Sequence, residues 1–505
     1  MGKSQIKKGI LLSYVSTAIE FAVSFIYTPI LIRTLGQSEY GTYNYVVSVI
    51  SYLTVFSSGF SSAYLRQYAL GKSNGKNIEG INGKFAIIYG TIALLMLSIG
   101  SIVAFNSDSF FGGKVTESEL NSISTLVWIV LFNLIITCLG SIFDGYILAN
   151  EKFVIQKTLI IIKNILRPVI ILSLVFNSPT SITLAVGTSM VNLGLIIANA
   201  IVSIYYLKMK FEFSNIRIHE LFPIFRFTFY VMLSVAVDKI NWSVDSFILG
   251  KTIGSTSIAI YSVGSTLNTH YQTLGEVVSN VFIPRVHKLV ADGASRSIIS
   301  DLFIKIGRIQ YMLLLLICSG FILFGQQFIL LWVGKGYEQS YLIALILMLP
   351  VTVPEIQKIG IEIQRALNLH KFRSVVYALI AIANILLSLI LVRKYEAIGC
   401  AIGTAISLIV GNIVIMNVYY SYKIKLAVKH FFFEMAKISL SVSPAFICGV
   451  LIKQIWNCSS WISLILCAGL YCSIYCCLIY LIAMNKWEKS LVATTLLRII
   501  RKEND

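Results

Sequence analysis

Residues 9–32 read GILLSYVSTAIEFAVSFIYTPILI. At 1.5 Å of rise per residue, a helix of this length crosses the roughly 30 Å hydrocarbon core of a bilayer. It carries Ser13, Ser16, Thr17, Glu20, Ser24 and Tyr27, related by steps of three or four. They form one stripe along one helical face. Hydrogen bonds between helices can absorb the hydroxyls, but a carboxylate at membrane depth calls for a bundle interior or a watery cavity. The stretch therefore reads as a membrane span built to face other helices.

Similar runs recur outward along the chain, at approximately 43–64, 85–105, 123–148, 154–176, 182–207, 222–250, 258–284, 303–333, 341–364, 374–392, 397–420, 438–452 and 461–484. These predict an all-α polytopic membrane protein of about 14 transmembrane helices. Composition agrees: 57% of the 505 residues are hydrophobic and 13% charged, with a mean hydropathy of +0.81, too few charges to cover a soluble fold of this size. The net charge of +18 admits a nucleic-acid partner, but its distribution points to the membrane. With the N-terminus inside, 30 of the 41 Lys and Arg fall in cytoplasmic segments and seven in outer loops, namely Arg33, Lys114, Lys251, Lys335, Arg393, Lys394 and Lys453. Four lie inside spans, Lys163, Arg167, Lys239 and Lys358. That asymmetry predicts cytoplasmic N- and C-termini. The first span is too long for a signal peptide, and no cleavage pattern follows it. The nine cysteines show no metal spacing and read as small packing residues; no metal or cofactor is expected.

The chain also repeats. At an offset of 218, Leu35-Gly36 meets Ile253-Gly254, Tyr43 meets Tyr261, Arg33 meets Lys251, and Glu20 meets Asp238. An offset of 219 sets Lys152-Phe153 on Lys371-Phe372, and one of 216 sets Ala185–Thr188 on Ala401–Thr404. A shift of six spans keeps both halves in the same orientation, related by an axis along the membrane normal. The expected organisation is an N-lobe at 1–210 (spans 1–6), a C-lobe at 215–425 (spans 7–12), spans 13 and 14 within 430–485, and a cytoplasmic tail at 486–505. Two pseudo-symmetric six-helix lobes around a central cavity are an arrangement in which transporters alternate access by rocking. A duplicated scaffold without transport is the other reading.

Charges inside spans locate candidate sites. Span 7 carries Asp238, Asn241 and Asp245, and span 8 carries Thr269, Gln272, Thr273, Glu276 and Asn280, each at helical spacing. Lys163 and Arg167 lie one turn apart near mid-bilayer, beside Asn164 and Pro168. Two cations there suit an anionic substrate, since a guanidinium grips phosphate oxygens in pairs. Structural ion pairs with Asp144, Glu20 or Asp238 are the alternative. Lys239 is turned about 100° from Asp238 on a helix and need not share its face. Glu355, Lys358, Glu362 and Arg365 alternate in sign at steps of three, four and three. Such residues can satisfy one another along a helix; an inner gate is the functional option, with Pro350 and Pro354 as a flexing point.

The stretch Tyr27-Thr-Pro-Ile-Leu-Ile-Arg-Thr-Leu-Gly-Gln-Ser-Glu-Tyr-Gly-Thr-Tyr43 resembles the first inter-span loop of the oligosaccharide flippases. These belong to the multidrug/oligosaccharidyl-lipid/polysaccharide exporter superfamily and are typified by the Wzx-type O-antigen flippases. Gly59 through Arg66 fits the same pattern, as does Asp245–Gly250 followed by Gly254 and Tyr261. The resemblance implies a V-shaped pair of lobes that carries an undecaprenyl-pyrophosphate-linked oligosaccharide from the inner to the outer leaflet of a bacterial cytoplasmic membrane. The lipid tail stays in the bilayer. On that reading Lys163 and Arg167 hold the pyrophosphate, hydroxyls and aromatics such as Tyr27 contact sugar, and Lys239 and Asn241 are further substrate-binding residues. Glu20, Asp238, Asp245 and Glu276 couple the cycle to H⁺ or Na⁺. Partners are the lipid-linked oligosaccharide, membrane lipid and polysaccharide polymerase or assembly proteins, and not nucleic acid.

Two rivals remain in view. A cation-coupled multidrug exporter of the same superfamily would bind cationic cargo on the acidic stripes. A membrane enzyme acting on lipid-linked sugars needs catalytic groups that the chain does not display: there is no Walker-type phosphate loop, no Asp-x-Asp element and no Ser/His/Asp arrangement. The tail, with Leu491, Leu496, Leu497 and Ile500 among basic residues, is compatible with the inner leaflet or with solvent.

Overall fold

The structure, a computed structural model, describes residues 2–75, 77–214, 222–367, 369–456 and 458–491. Every regular element among them is helical. Ten stretches are long and apolar enough to cross a membrane, and two of these, Leu12–Ser73 and Lys371–Ile424, hold 62 and 54 residues, each room for two crossings. The multi-pass, all-α class expected from the sequence follows; the number of crossings is not fixed by it. Two long helices, Phe222–Thr252 and Ser255–Asn280, fall outside the ten. They carry the polar residues of predicted spans 7 and 8.

The chain divides into two units, Met1–Ser262 and Val263–Asp505. In the first, α1 (Gly2–Ile50) is broken only at Gly36, whose φ of 76° and ψ of 174° lie outside the helical region. The expected inter-span loop is thus a kink, which glycine adopts without the Cβ penalty. A 3₁₀ turn (Ser51–Ser57) and a left-handed Gly59 lead to α2 (Phe60–Ser73). There follow α3 (Ile78–Phe105), α4 (Ser107–Phe111), α5 (Glu117–Ala149), α6 (Phe153–Asn177), α7 (Ser181–Ile201) and α8 (Phe222–Thr252). Helix α5 lies against α3 and α7, α1 runs along α6, and α8 packs on α1 and the 3₁₀ turn. That last contact keeps α8 with the first unit, whereas the sequence division assigns it to the second half.

The motif that carried the family resemblance is explained by packing. Ser38 donates to the Glu119 carboxylate at 2.5 Å, and Ser255 donates to the same oxygen at 2.5 Å. Glu119 also closes a capping box with Thr116 at the start of α5. The Glu39 carboxylate accepts the Ser181 amide at 2.6 Å, satisfying a free N–H at the start of α7. A Cβ on Gly41 would run into the Ser255 carbonyl, and one on Gly250 into the Tyr45 ring. Further along, Tyr64 is fully buried and donates to Asn82 at 2.7 Å. Residues 208–214 fold onto the start of α3. There the Glu212 amide donates to Glu79 O at 3.0 Å and the Asn82 side chain to Lys210 O at 2.8 Å. Hydrogen bonds from Ser214 and Asn77 hold the Glu212 carboxyl below the usual carboxylate range.

The second unit takes most of α9 (Ser255–Asn280), then α10 (Ile283–Ala291), α11 (Arg296–Trp332), α12 (Gln339–Ile356) and α13 (Lys358–Ala366). Helix α14 (His370–Leu408) breaks at Glu396 and continues through a π-helical stretch, α15 (Met416–Tyr419) and a π turn at Tyr420–Ile424. It closes with α16 (Val428–Ile455), α17 (Trp461–Leu478) and a π turn at Ile479–Ala483. The α16–α17 pair packs on α11 through Phe324, Ile438, Val442, Tyr471 and Tyr475. Tyr475 donates to Met312 O at 2.8 Å, and Tyr471 shares a 2.6 Å hydrogen bond with Ser319. Helix α16 is longer than the predicted 438–452 because Lys429, His430, Glu434 and Lys437 lower the local hydropathy without breaking the helix. Residues 492–505, and with them Leu496, Leu497 and Ile500, lie outside the described residues.

Candidate functional site

In the first unit the α1–α6 contact assembles the cation pair. Lys163 and Asn164 are neighbours on α6 and Arg167 lies one turn further on, with Arg167 exposed and Lys163 and Asn164 half-buried. Pro168 lacks an N–H, which frees the Asn164 carbonyl and favours a bend at this level. Arg167 acts electrostatically on Tyr27 and Tyr40, and Tyr43 lies close to both tyrosines. Lys163 feels Arg167 and, from α1, Glu20. The Tyr27 hydroxyl and the Asn164 amide nitrogen are both buried without a hydrogen-bond partner among the described residues. Left so, each costs roughly 1–3 kcal/mol. The alternative partner Asp144 is engaged elsewhere, accepting from Gln156 at 3.0 Å.

Helix α8 contributes differently. Asp245 is 1% exposed and accepts the Tyr261 hydroxyl at 2.5 Å, with Tyr52 nearby. Asn241 is buried one turn earlier, Lys239 is half-buried, and Asp238 and Glu20 are exposed. The structure thus gathers Glu20, Tyr27, Lys163 and Arg167, and places Asp245 in a separate tyrosine-lined setting.

The second unit holds two charged clusters. Lys358 donates to Glu276 at 2.6 Å and to Glu355 at 3.1 Å, so a residue expected in coupling meets two expected in gating. Glu362 accepts from Arg365 at 2.6 Å and lies 3.6 Å from His287 on α10. Sequence reasoning missed His287, and it missed a third cluster. Arg308 is 5% exposed, grips Glu488 through two nitrogens at 2.7 and 2.9 Å, and reaches Glu434 at 2.5 Å and Ala483 O at 2.8 Å. The charge count groups Arg308 with the basic segment before span 9. Its depth inside the predicted 303–333 span was the available signal.

Long apolar helices that carry buried charge clusters define a multi-pass membrane protein. The fold is shared with a solved lipid II flippase, MurJ, in an inward closed conformation: TM-score 0.75, 19% identity, 93% of this chain and 99% of that one covered. It is also shared with an inward-facing multidrug resistance MATE family transporter of the MOP superfamily, at TM-score 0.56 and 14% identity over 79% of this chain and 96% of that one. A putative O-antigen transporter of Shigella flexneri is 22% identical over 404 residues, which is 77% of this chain and 91% of the relative. The family model described as polysaccharide biosynthesis protein matches residues 6–290. The chain belongs to that family.

Proposed function

We propose that the protein is a flippase that moves undecaprenyl-pyrophosphate-linked oligosaccharide from the inner to the outer leaflet of the bacterial cytoplasmic membrane, for assembly of a surface polysaccharide. The observation that carries this reading is the α1–α6 face. Lys163 and Arg167 sit there beside two buried donors, the Tyr27 hydroxyl and the Asn164 amide, that lack partners among the described residues. Four donors and two positive charges suit a diphosphate, which offers many acceptor oxygens and matching negative charge. Family membership and the named Shigella relative support the cargo class. Lys239 and Asn241 extend the binding surface along α8. Glu20, Asp238, Asp245 and Glu276 couple transport to H⁺ or Na⁺, and Glu355, Lys358, Glu362 and Arg365 gate the cytoplasmic end.

The chain works as two lobes, 1–210 and 215–425, with both termini cytoplasmic. Backbone features support the duplication: π turns begin at Val202 and Tyr420, 218 residues apart, and Gly36 and Gly254, at the same spacing, both take positive φ. A polysaccharide polymerase or other assembly protein takes up the product.

The test is deletion in the native host, followed by mass analysis of undecaprenyl-linked oligosaccharide. Trapped complete repeat units with loss of surface polysaccharide are expected. Complementation by a Lys163→Gln/Arg167→Gln chain should leave the units trapped. Normal polysaccharide with new sensitivity to cationic drugs would instead assign the multidrug exporter function, with Glu20 and Asp238 as the binding groups.

A further inference from the structure

The second unit contains a buried polar column that the cargo reading does not use. On α9, Gly264, Asn268, Tyr271 and Gly275 follow at steps of four, three and four, and so share one face. That face packs on α12: a Cβ on Gly264 would meet Ile343, and one on Gly275 would meet the Glu355 carboxylate. Along it, Asn268 is fully buried with neither amide atom hydrogen-bonded to any described residue. Tyr271 shares a 2.7 Å hydrogen bond with Thr352. Gln310 of α11 is also fully buried; its nitrogen donates to Gly275 O at 3.0 Å and to Glu355 O at 3.1 Å, and its oxygen has no partner among the described residues. The column ends at the trio in which Lys358 bridges Glu355, 6% exposed, and Glu276, 46% exposed.

Packed helices rarely bury so many half-satisfied polar groups in an apolar setting unless a small polar species visits them. Membrane-embedded carboxylates flanked by such groups are the usual makings of a proton path. We propose that Glu355 is a proton-binding site served by the column of Asn268, Tyr271, Thr352 and Gln310. Hydronium gives a proton to a Glu355 carboxylate oxygen and leaves as water. Lys358 keeps its own proton and, losing one partner, pairs with Glu276 alone. The net charge of the trio changes from −1 to zero. The ionisable groups facing Glu355 are Tyr271 and Glu276 from α9, Lys358 from α13 and Arg373 from α14. The consequence for transport rests on the flippase reading; the site itself does not.

Infrared difference spectroscopy of the full chain in proteoliposomes, stepped from mildly alkaline to mildly acidic pH, reads this directly and needs no cargo. A protonated-carboxyl band should appear on acidification. It should vanish in Glu355→Gln and persist in Glu276→Gln, each variant being checked for native helical circular dichroism. Removing the cation in Lys358→Met should move the band's midpoint upward by at least about one pH unit, a tenfold lower proton concentration. A band undiminished in folded Glu355→Gln, or a midpoint unmoved in Lys358→Met, overturns the proposal. Cargo delivery that fails while the spectrum behaves as expected counts against the flippase reading alone.

Discussion

Arg308 is the residue whose loss should be felt most. It is 5% exposed, and its guanidinium makes four hydrogen bonds: two to Glu488, one to Glu434 and one to the Ala483 carbonyl. Those partners lie on α16 and just beyond α17, so one side chain on α11 ties three segments together. Glu488 is 3% exposed and in turn accepts the Asn485 amide at 2.8 Å, so it cannot turn to water when its cation goes. Stripping one partner from a buried ion pair costs about 3–5 kcal/mol, because the remaining charge stays desolvated. Arg308→Leu should therefore shift the unfolding equilibrium by roughly a hundredfold to several thousandfold. Adding Glu434→Gln and Glu488→Gln should recover at least half of this, since neutral amides carry a far smaller burial penalty. The assay is denaturation of the purified chain in mixed micelles, followed by circular dichroism. An Arg308→Leu chain as stable as the parent, or a triple variant no better than the single, would refute the argument.

Tyr27→Phe should stabilise the cargo-free chain by about 1–3 kcal/mol in the same assay, as the buried hydroxyl it removes has no partner among the described residues. It should nonetheless slow delivery of surface polysaccharide in complemented cells. Gly41→Ala should destabilise the chain by about 1–3 kcal/mol, because its Cβ meets the rigid Ser255 carbonyl. Gly90→Ala, with open space around it, should be neutral or stabilising by up to about 1 kcal/mol in a parallel melt.

Length and apolar patterning were enough to reveal the helices, because a membrane imposes both. The lone intramembrane charges were equally visible, and Lys163, Arg167, Glu276, Glu355 and Lys358 do sit in charged or polar clusters. What one-dimensional reading could not supply was pairing across helices. Glu276 and Lys358 are 82 positions apart, and Arg308 and Glu488 are 180 apart. No helical period links such residues. Arg308 went unnoticed for a second reason, since near the end of a span a basic residue is readily counted with the topogenic ones, although its place inside 303–333 set it apart. The Gly36 kink was read as a loop because glycine marks both, and only its φ and ψ decide.

The motif around Ser38, Glu39 and Gly41 has a practical consequence. Ser38 and Glu39 are spent on Glu119 and the Ser181 amide, and Gly41 lies against the Ser255 carbonyl, so the motif specifies how helices of the first unit pack. The family model, which matches residues 6–290, contains that packing. If the α6 face holds the cargo as proposed, cargo choice is a module separate from this packing. Grafting the α6 face of a relative, from Lys163 to Arg167, onto this chain should then retarget it to a different headgroup while the packing around Glu119 is left untouched.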